Sequence, residues 1–195
     1  MALRREALGL EAYLALEEAA QEKHELVRGQ RVAMAGAGRE HNRLLTRLFL
    51  RIAPAALRAG CEAYVADMRL RVGEEVFYPD LMVVCQPSAD PRYEEHPCLV
   101  VEILFENTEA MDRGRKLQAY LRLPSLKAYL LLDSRERRAE GYFREGEAWV
   151  YRELTEVDLA CPPVRFSLDE VYEGVLSTWK PSLRKWSGPG RRGSP

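Results

Sequence analysis

Apolar and polar positions follow two rhythms along this chain, one helical and one alternating. In residues 9–23, GLEAYLALEEAAQEK, the apolar Leu10, Tyr13 and Leu14 stand among acids at helical spacing, which predicts a short helix. HELVRGQRVAMAG then alternates on either side of Gly29, with Leu26, Arg28, Val32 and Met34, which predicts a hairpin. From Glu40 to about Arg58, Leu44, Leu45, Leu48, Phe49 and Ile52 form the stripe of an amphipathic helix, with Pro54 expected to kink or end it. Beyond Gly60 the stretch EAYVADMRLRVGEEVFYPDLMVVC predicts two or three strands with a turn at Gly73-Glu74-Glu75. A polar, proline-rich loop follows over 86–97, then a fully apolar strand in PCLVVEIL and a helix over roughly 108–122. KAYLLLDS predicts another strand, and AEGYFREGEAWVYREL a hairpin turning at Glu145-Gly146. The predicted fold class is therefore α/β (α+β), with helices flanking a central mixed sheet.

Length and charge narrow this picture. With 195 residues the chain suits one domain, expected over 1–178. Residues 179–195 are basic and rich in Gly, Pro and Ser, and are expected to form a flexible tail. The formal net charge of −1 excludes a globally basic nucleic-acid binder, so any such role needs a local patch. No apolar run approaches the roughly 20 residues of a membrane span. The opening MALRREALGLEAYLALEE turns acidic and helical, unlike a signal peptide. Cys61, Cys85, Cys98 and Cys161 form no C-x-x-C, and His24, His41 and His96 do not join them at zinc spacing. Neither a structural zinc site nor a disulfide framework is expected, and the expected location is the reducing cytoplasm.

One residue breaks the apolar pattern. Glu102 lies inside LVVEIL, flanked by Val100, Val101, Ile103 and Leu104. An ionised carboxylate buried alone costs several kcal/mol or more, so it needs a metal, a proton or a buried cation such as arginine. Asp80, in VFYPDLMVV, opens an equally apolar strand. If the two strands are neighbours, their carboxylates meet and require a cation between them. A hard divalent ion suits such oxygen ligands and keeps sites free for water and phosphate. The alternative for Asp80 is an acid bonding local amides at a strand entry.

YPD followed about twenty residues later by VVEIL resembles the bipartite signature of restriction-endonuclease-like nucleases. The ordered set ELVRGQRVAM, His41, PDLMVV, LVVEIL, NT, Asp112, Lys116, Tyr120 and KAYLLLD resembles the Uma-type endonuclease family, from about Tyr13 to about Glu170. The resemblance implies a restriction-endonuclease-like core and a site for Mg²⁺ (or Mn²⁺). Its ligands would be Asp80, Glu102, the Ile103 carbonyl and the upstream acid Glu25. The superfamily's lysine, two residues after the glutamate, is replaced by Leu104; the resemblance implies Lys116 as its substitute, so that Asp80, Glu102 and Lys116 form the catalytic set. Phe105 and Glu106 stand where relatives carry serine and proline.

Asp112, Lys116 and Tyr120 share one helical face, while Ala110, Gly114, Leu117 and Leu121 define the nearly opposite one. Periodicity alone therefore predicts a solvated Asp–Lys pair opposite a core stripe. Arg39, Arg43, Arg47 and Arg51 recur at four-residue spacing, either as a solvated face or as a ridge for phosphates, with His41 beside them at the helix start. Two functions stay open: a metal-dependent endonuclease acting on nucleic acid, DNA in the first place, or a non-catalytic nucleic-acid-binding or interaction module on the same fold. A serine hydrolase is disfavoured, since G-x-S-x-G is absent. Cutting both strands of a duplex needs two sites, so a homodimer is the expected assembly.

Overall fold

A computed structural model describes residues 7–176 of the protein; the tail expected over Trp179–Pro195 lies outside them. In chain order, α1 (Leu10–Glu18) precedes the β1 (His24–Val27) and β2 (Gln30–Ala33) hairpin and the long α2 (Arg39–Arg58). Four strands follow: β3 (Glu62–Val65), β4 (Arg69–Val72), β5 (Glu75–Phe77) and β6 (Leu81–Val84). Then come β7 (Tyr93–Glu94), β8 (Pro97–Leu104), α3 (Glu109–Met111), a π-helical turn (Asp112–Lys116) and α4 (Leu117–Tyr120). The chain ends its described part with β9 (Ala128–Asp133), β10 (Ala139–Glu145), β11 (Ala148–Leu154), β12 (Glu156–Ala160), β13 (Pro163–Ser167) and α5 (Leu168–Tyr172).

The central sheet is mixed and six-stranded, in the order β11-β10-β9-β8-β6-β3, with β8 and β9 its parallel pair. Strands β8 and β9 are buried along their whole length, as their apolar runs lead one to expect, and this burial extends to Glu102 and Asp133 within them. Helix α2 covers one face: Leu44, Leu48 and Ile52 pack on Leu81, Val83, Leu99 and Val101. The other face carries Met82, Val100 and Leu104 against Tyr120, Leu123 and Tyr129. Pro54 does not end α2, which runs on to Arg58; the ring sits on the exposed side while Ala55 and Ala56 stay buried.

A second sheet, β2-β1-β5-β4-β7, stands beside the first. Its β1–β2 hairpin turns through Arg28 (φ 50°) and Gly29 (φ 72°), the left-handed pair a two-residue hairpin of this twist needs. Leu26 of β1 packs on Tyr13, Leu14 and Val76, so its neighbours Glu25 and Val27 point the other way, toward the central sheet. The β12–β13 hairpin and α5 close the core over α2, with Val157, Leu159 and Phe166 buried. No helix among the described residues is long and apolar enough to cross a membrane.

The expectation about cysteines is overturned. Cys61 pairs with Cys85 and Cys98 with Cys161 in two disulfides. Sequence spacing could not show this, because four separate segments meet at one end of the central sheet.

Candidate active site around a buried lysine

Strands β6 and β8 are antiparallel neighbours in the register Leu81↔Val101. Asp80, one residue before β6, therefore lies opposite Glu102 in β8. Asp80 Oδ2 accepts a hydrogen bond from the Ile103 amide at 2.7 Å, and the Asp80 amide donates to Glu102 Oε2 at 3.4 Å. Asp80 thus binds an amide of the neighbouring strand rather than one of its own turn. His41, on the inner side of the first turn of α2, places Nε2 3.1 Å from the same Asp80 oxygen. It is buried, not an exposed helix end, and its ring meets Phe105 edge-on at 5.6 Å. Phe105, one of the two departures from the family pattern, thereby fills the wall beside His41.

Glu102 is 2% exposed and its cation is a lysine, not an arginine. Lys116 Nζ lies 3.1 Å from Glu102 Oε1, 3.0 Å from Glu25 Oε1 and 3.4 Å from Asp112 Oδ1. Tyr120 donates its hydroxyl to Glu102 Oε1 at 2.9 Å, and the Tyr78 amide donates to Glu25 Oε1 at 3.1 Å. The helical face holding Asp112, Lys116 and Tyr120 is therefore the buried one, which reverses the expectation from periodicity. The π-helical turn over Asp112–Lys116 widens the helix where these side chains enter the core, and its charges compensate one another there. Leu104, standing where the superfamily has lysine, packs in the apolar layer.

Four carboxylates, Glu25, Asp80, Glu102 and Asp112, face one ammonium. Burial pushes the Glu102 carboxyl well up, resisted by Lys116 and reinforced by Asp112, Asp80 and Glu25. Asp112 is raised too, by burial first and by Asp80, against the pull of Lys116 and Thr108. Burial works against the Lys116 charge, yet Glu102, Glu25, Asp112 and Asp80 outweigh it and hold the ammonium above the usual lysine range. Burial also raises Tyr120 and Tyr129, so both stay protonated as donors. Asp112 Oδ1 is buried and accepts no hydrogen bond, its close cation being Lys116 at 3.4 Å. An excess of buried negative charge with an unsatisfied oxygen is the electrostatic condition for a further cation or protons.

Asp80, Glu102, Glu25, Lys116, His41 and Phe105 line a cleft of about 270 Å³. Among the described residues, no three acid or histidine ligand atoms here come within 4.8 Å of one another, because Lys116 holds the centre. The donor set fits an ion that takes one or two carboxylates and fills its other positions with water and phosphate, as Mg²⁺ does, rather than an all-protein cage. Arg39, Arg43 and Arg47 lie apart from it, along a groove on the outer face of α2; Asn42 borders both groove and cleft. Tyr120→Phe is expected to cost about 1.5–3 kcal/mol, the value of a hydrogen bond to a charged group, read from urea denaturation of the metal-free protein.

Comparison with known proteins places the chain in a family. The family model Uma2, described as "Putative restriction endonuclease", matches residues 10–169. The uncharacterised protein slr1290 of Synechocystis sp. (strain ATCC 27184 / PCC 6803 / Kazusa) is 32% identical over 176 residues, covering 86% of this chain and 93% of that protein. A second uncharacterised Synechocystis protein, sll1609, is 35% identical over 153 residues, covering 73% and 84%. A crystal structure from Anabaena variabilis ATCC 29413, described as a putative nuclease belonging to DUF820, superposes with a TM-score of 0.71 at 15% identity. That likeness covers 87% of this chain and 99% of the other, and it shows a shared fold. The chain belongs to the Uma2 family and shares the fold of that crystal structure.

Proposed function

We propose that the protein is a divalent-metal-dependent endonuclease, with DNA as the first substrate to test. The observation that carries this reading is the cluster of four carboxylates round Lys116 at the floor of a cleft, reached by the opposed Asp80 and Glu102. Mg²⁺ or Mn²⁺ would be held by Asp80 and Glu102 with the Ile103 carbonyl as a further oxygen, while Glu25, expected as an added ligand, instead holds Lys116 through Oε1. When bound, such an ion polarises the scissile phosphate and lowers the pKa of an attacking water. Asp80 Oδ2 is fixed by Ile103 and His41, which leaves Oδ1 as the oxygen for a cation. Lys116 and Tyr120 fix Glu102 Oε1 and so orient its carboxylate without rotamer loss when ligands arrive. Lys116 also offers positive charge beside the site where phosphate charge would develop. Arg39, Arg43 and Arg47 would position the phosphate backbone along α2, and a homodimer would supply one site for each strand of a duplex.

The decisive experiment is cleavage of plasmid and oligonucleotide DNA, and of RNA, by purified protein with Mg²⁺ or Mn²⁺ and with chelator. Metal-dependent cleavage is expected. Nucleic-acid binding with neither cleavage nor metal uptake would favour the second reading, a binding module, for which Leu104 in the motif-lysine position is the supporting observation. The arginine ridge has its own test. Arg39→Ala with Arg47→Ala should weaken DNA binding at low salt and reduce the slope of log affinity against log salt by about 0.9 for each phosphate no longer neutralised. An unchanged slope would assign the ridge to solvent.

A further inference from the structure

All four cysteines of the chain converge at the end of the central sheet away from the acid cluster. Cys61 precedes β3 and Cys85 follows β6, facing each other one step beyond the Glu62↔Val84 pair. Cys98 is the second residue of β8, four residues before Glu102 on the same strand, and Cys161 lies in the turn between β12 and β13. The sulfurs crowd across the two disulfides as well as within them. Cys85 Sγ is 3.6 Å from Cys161 Sγ and 3.9 Å from Cys98 Sγ. Cys61, Cys85 and Cys161 all place their sulfurs within 4.8 Å of one another.

These separations match a known shape. Four thiolates at about 2.3 Å from a zinc ion stand about 3.8 Å apart along each edge of the tetrahedron. Two edges of that tetrahedron are thus already in place between residues of different disulfides. Cys61 and Cys98 are buried and Cys85 is exposed, so the group has a fixed base and an entrance. The geometry points to a tetrathiolate site for zinc, or a soft divalent ion like it, formed by Cys61, Cys85, Cys98 and Cys161 when the chain is reduced. Reduction of the two disulfides takes two equivalents of a dithiol, each giving two electrons and two protons and becoming a cyclic disulfide. The four resulting thiols release four protons as the ion binds. With four protein ligands the site is closed and structural, and it ties the β12–β13 turn to the edge of the central sheet.

The test uses the full chain, purified with a dithiol reductant and kept anaerobic. Zinc is expected at about one ion per chain, with thiols masked from a chromogenic disulfide reagent until the metal is removed. Cobalt added to the reduced, metal-free protein should give the strong thiolate charge-transfer and visible bands of a tetrahedral sulfur site. An oxygen-ligated ion in the acid cluster gives neither, so this readout is independent of the nuclease reading. Cys85→Ser and Cys161→Ser should each abolish the cobalt spectrum, and zinc removal should lower Tm. Four reactive thiols in reduced wild-type protein that takes up no cobalt or zinc at micromolar concentration would overturn the proposal. That measurement needs no variant and stands even if the serine variants fail to fold.

Discussion

Lys116→Met is expected to destabilise the metal-free protein by about 3–5 kcal/mol, the scale for removing one partner of a buried ion pair. The side chain is nearly isosteric, so packing round the helix is largely kept and the loss is electrostatic. Three of its neighbours, Glu25, Glu102 and Asp112, are themselves buried and would face one another with no cation between them. The pH dependence follows from the raised carboxyls. A carboxyl whose folded pKa lies above its unfolded value favours folding fully below the unfolded value, and that contribution is lost as pH rises through the folded one. Glu102 and Asp112 are both raised. The variant should therefore be weakest at alkaline pH and recover as pH falls toward the ordinary carboxylate range, as protons replace the ammonium. Divalent ions should stabilise the variant more than wild type, because the centre of the cluster is then vacant. Urea denaturation across this pH range, with and without Mg²⁺, measures all three effects. Adding Glu102→Gln should cost less than the sum of the two single changes, since it removes the charge that Lys116 leaves behind. Simple additivity would show that Lys116 does not hold Glu102.

How much of this site can be seen in the sequence depends on what kind of pattern carries it. Asp80 and Glu102 stand out because each interrupts an apolar strand, and the cost of burying a charge applies whatever the fold. That the two strands are neighbours, in the register that sets acid opposite acid, comes from the fold, because an apolar run does not encode its partner strand. Lys116 is different. A period-3.6 reading takes charged residues as the solvated face, but here the charges satisfy one another inside, and a π-helical turn replaces the regular spacing over Asp112–Lys116. Only the family resemblance points to that lysine. His41 is similarly ambiguous: its place at the start of α2 suits either solvent or the site, and only the approach of Asp80 decides. The cysteines leave no local trace at all. Their meeting comes from strand register and from the return of the β12–β13 hairpin, which sequence spacing does not encode.

Asp80→Asn is expected to lower metal-dependent cleavage by about 10³-fold or more while leaving the fold intact. The amide oxygen of asparagine can still accept the Ile103 hydrogen bond that holds β6 against β8, so Tm in the absence of metal should stay close to wild type. The substitution removes the negative charge on the carboxylate best placed for a cation, the most solvent-accessible of the four acids at 23% side-chain exposure. Lewis-acid stabilisation of a phosphoryl transition state contributes several kcal/mol, and each ~1.4 kcal/mol is a factor of ten in rate. The same substitution should remove the Mg²⁺-induced rise in Tm. Glu102→Gln makes the same test from the neighbouring strand: it should also cost activity, and because Lys116 still faces Glu25 and Asp112 its metal-free stability should change little. Cleavage rates and melting curves with and without Mg²⁺, compared for the two variants, show whether both carboxylates serve the same ion. If Asp80→Asn keeps both its cleavage and its metal-induced stabilisation, Asp80 is a strand-pairing residue and the ion, where one binds, is held elsewhere.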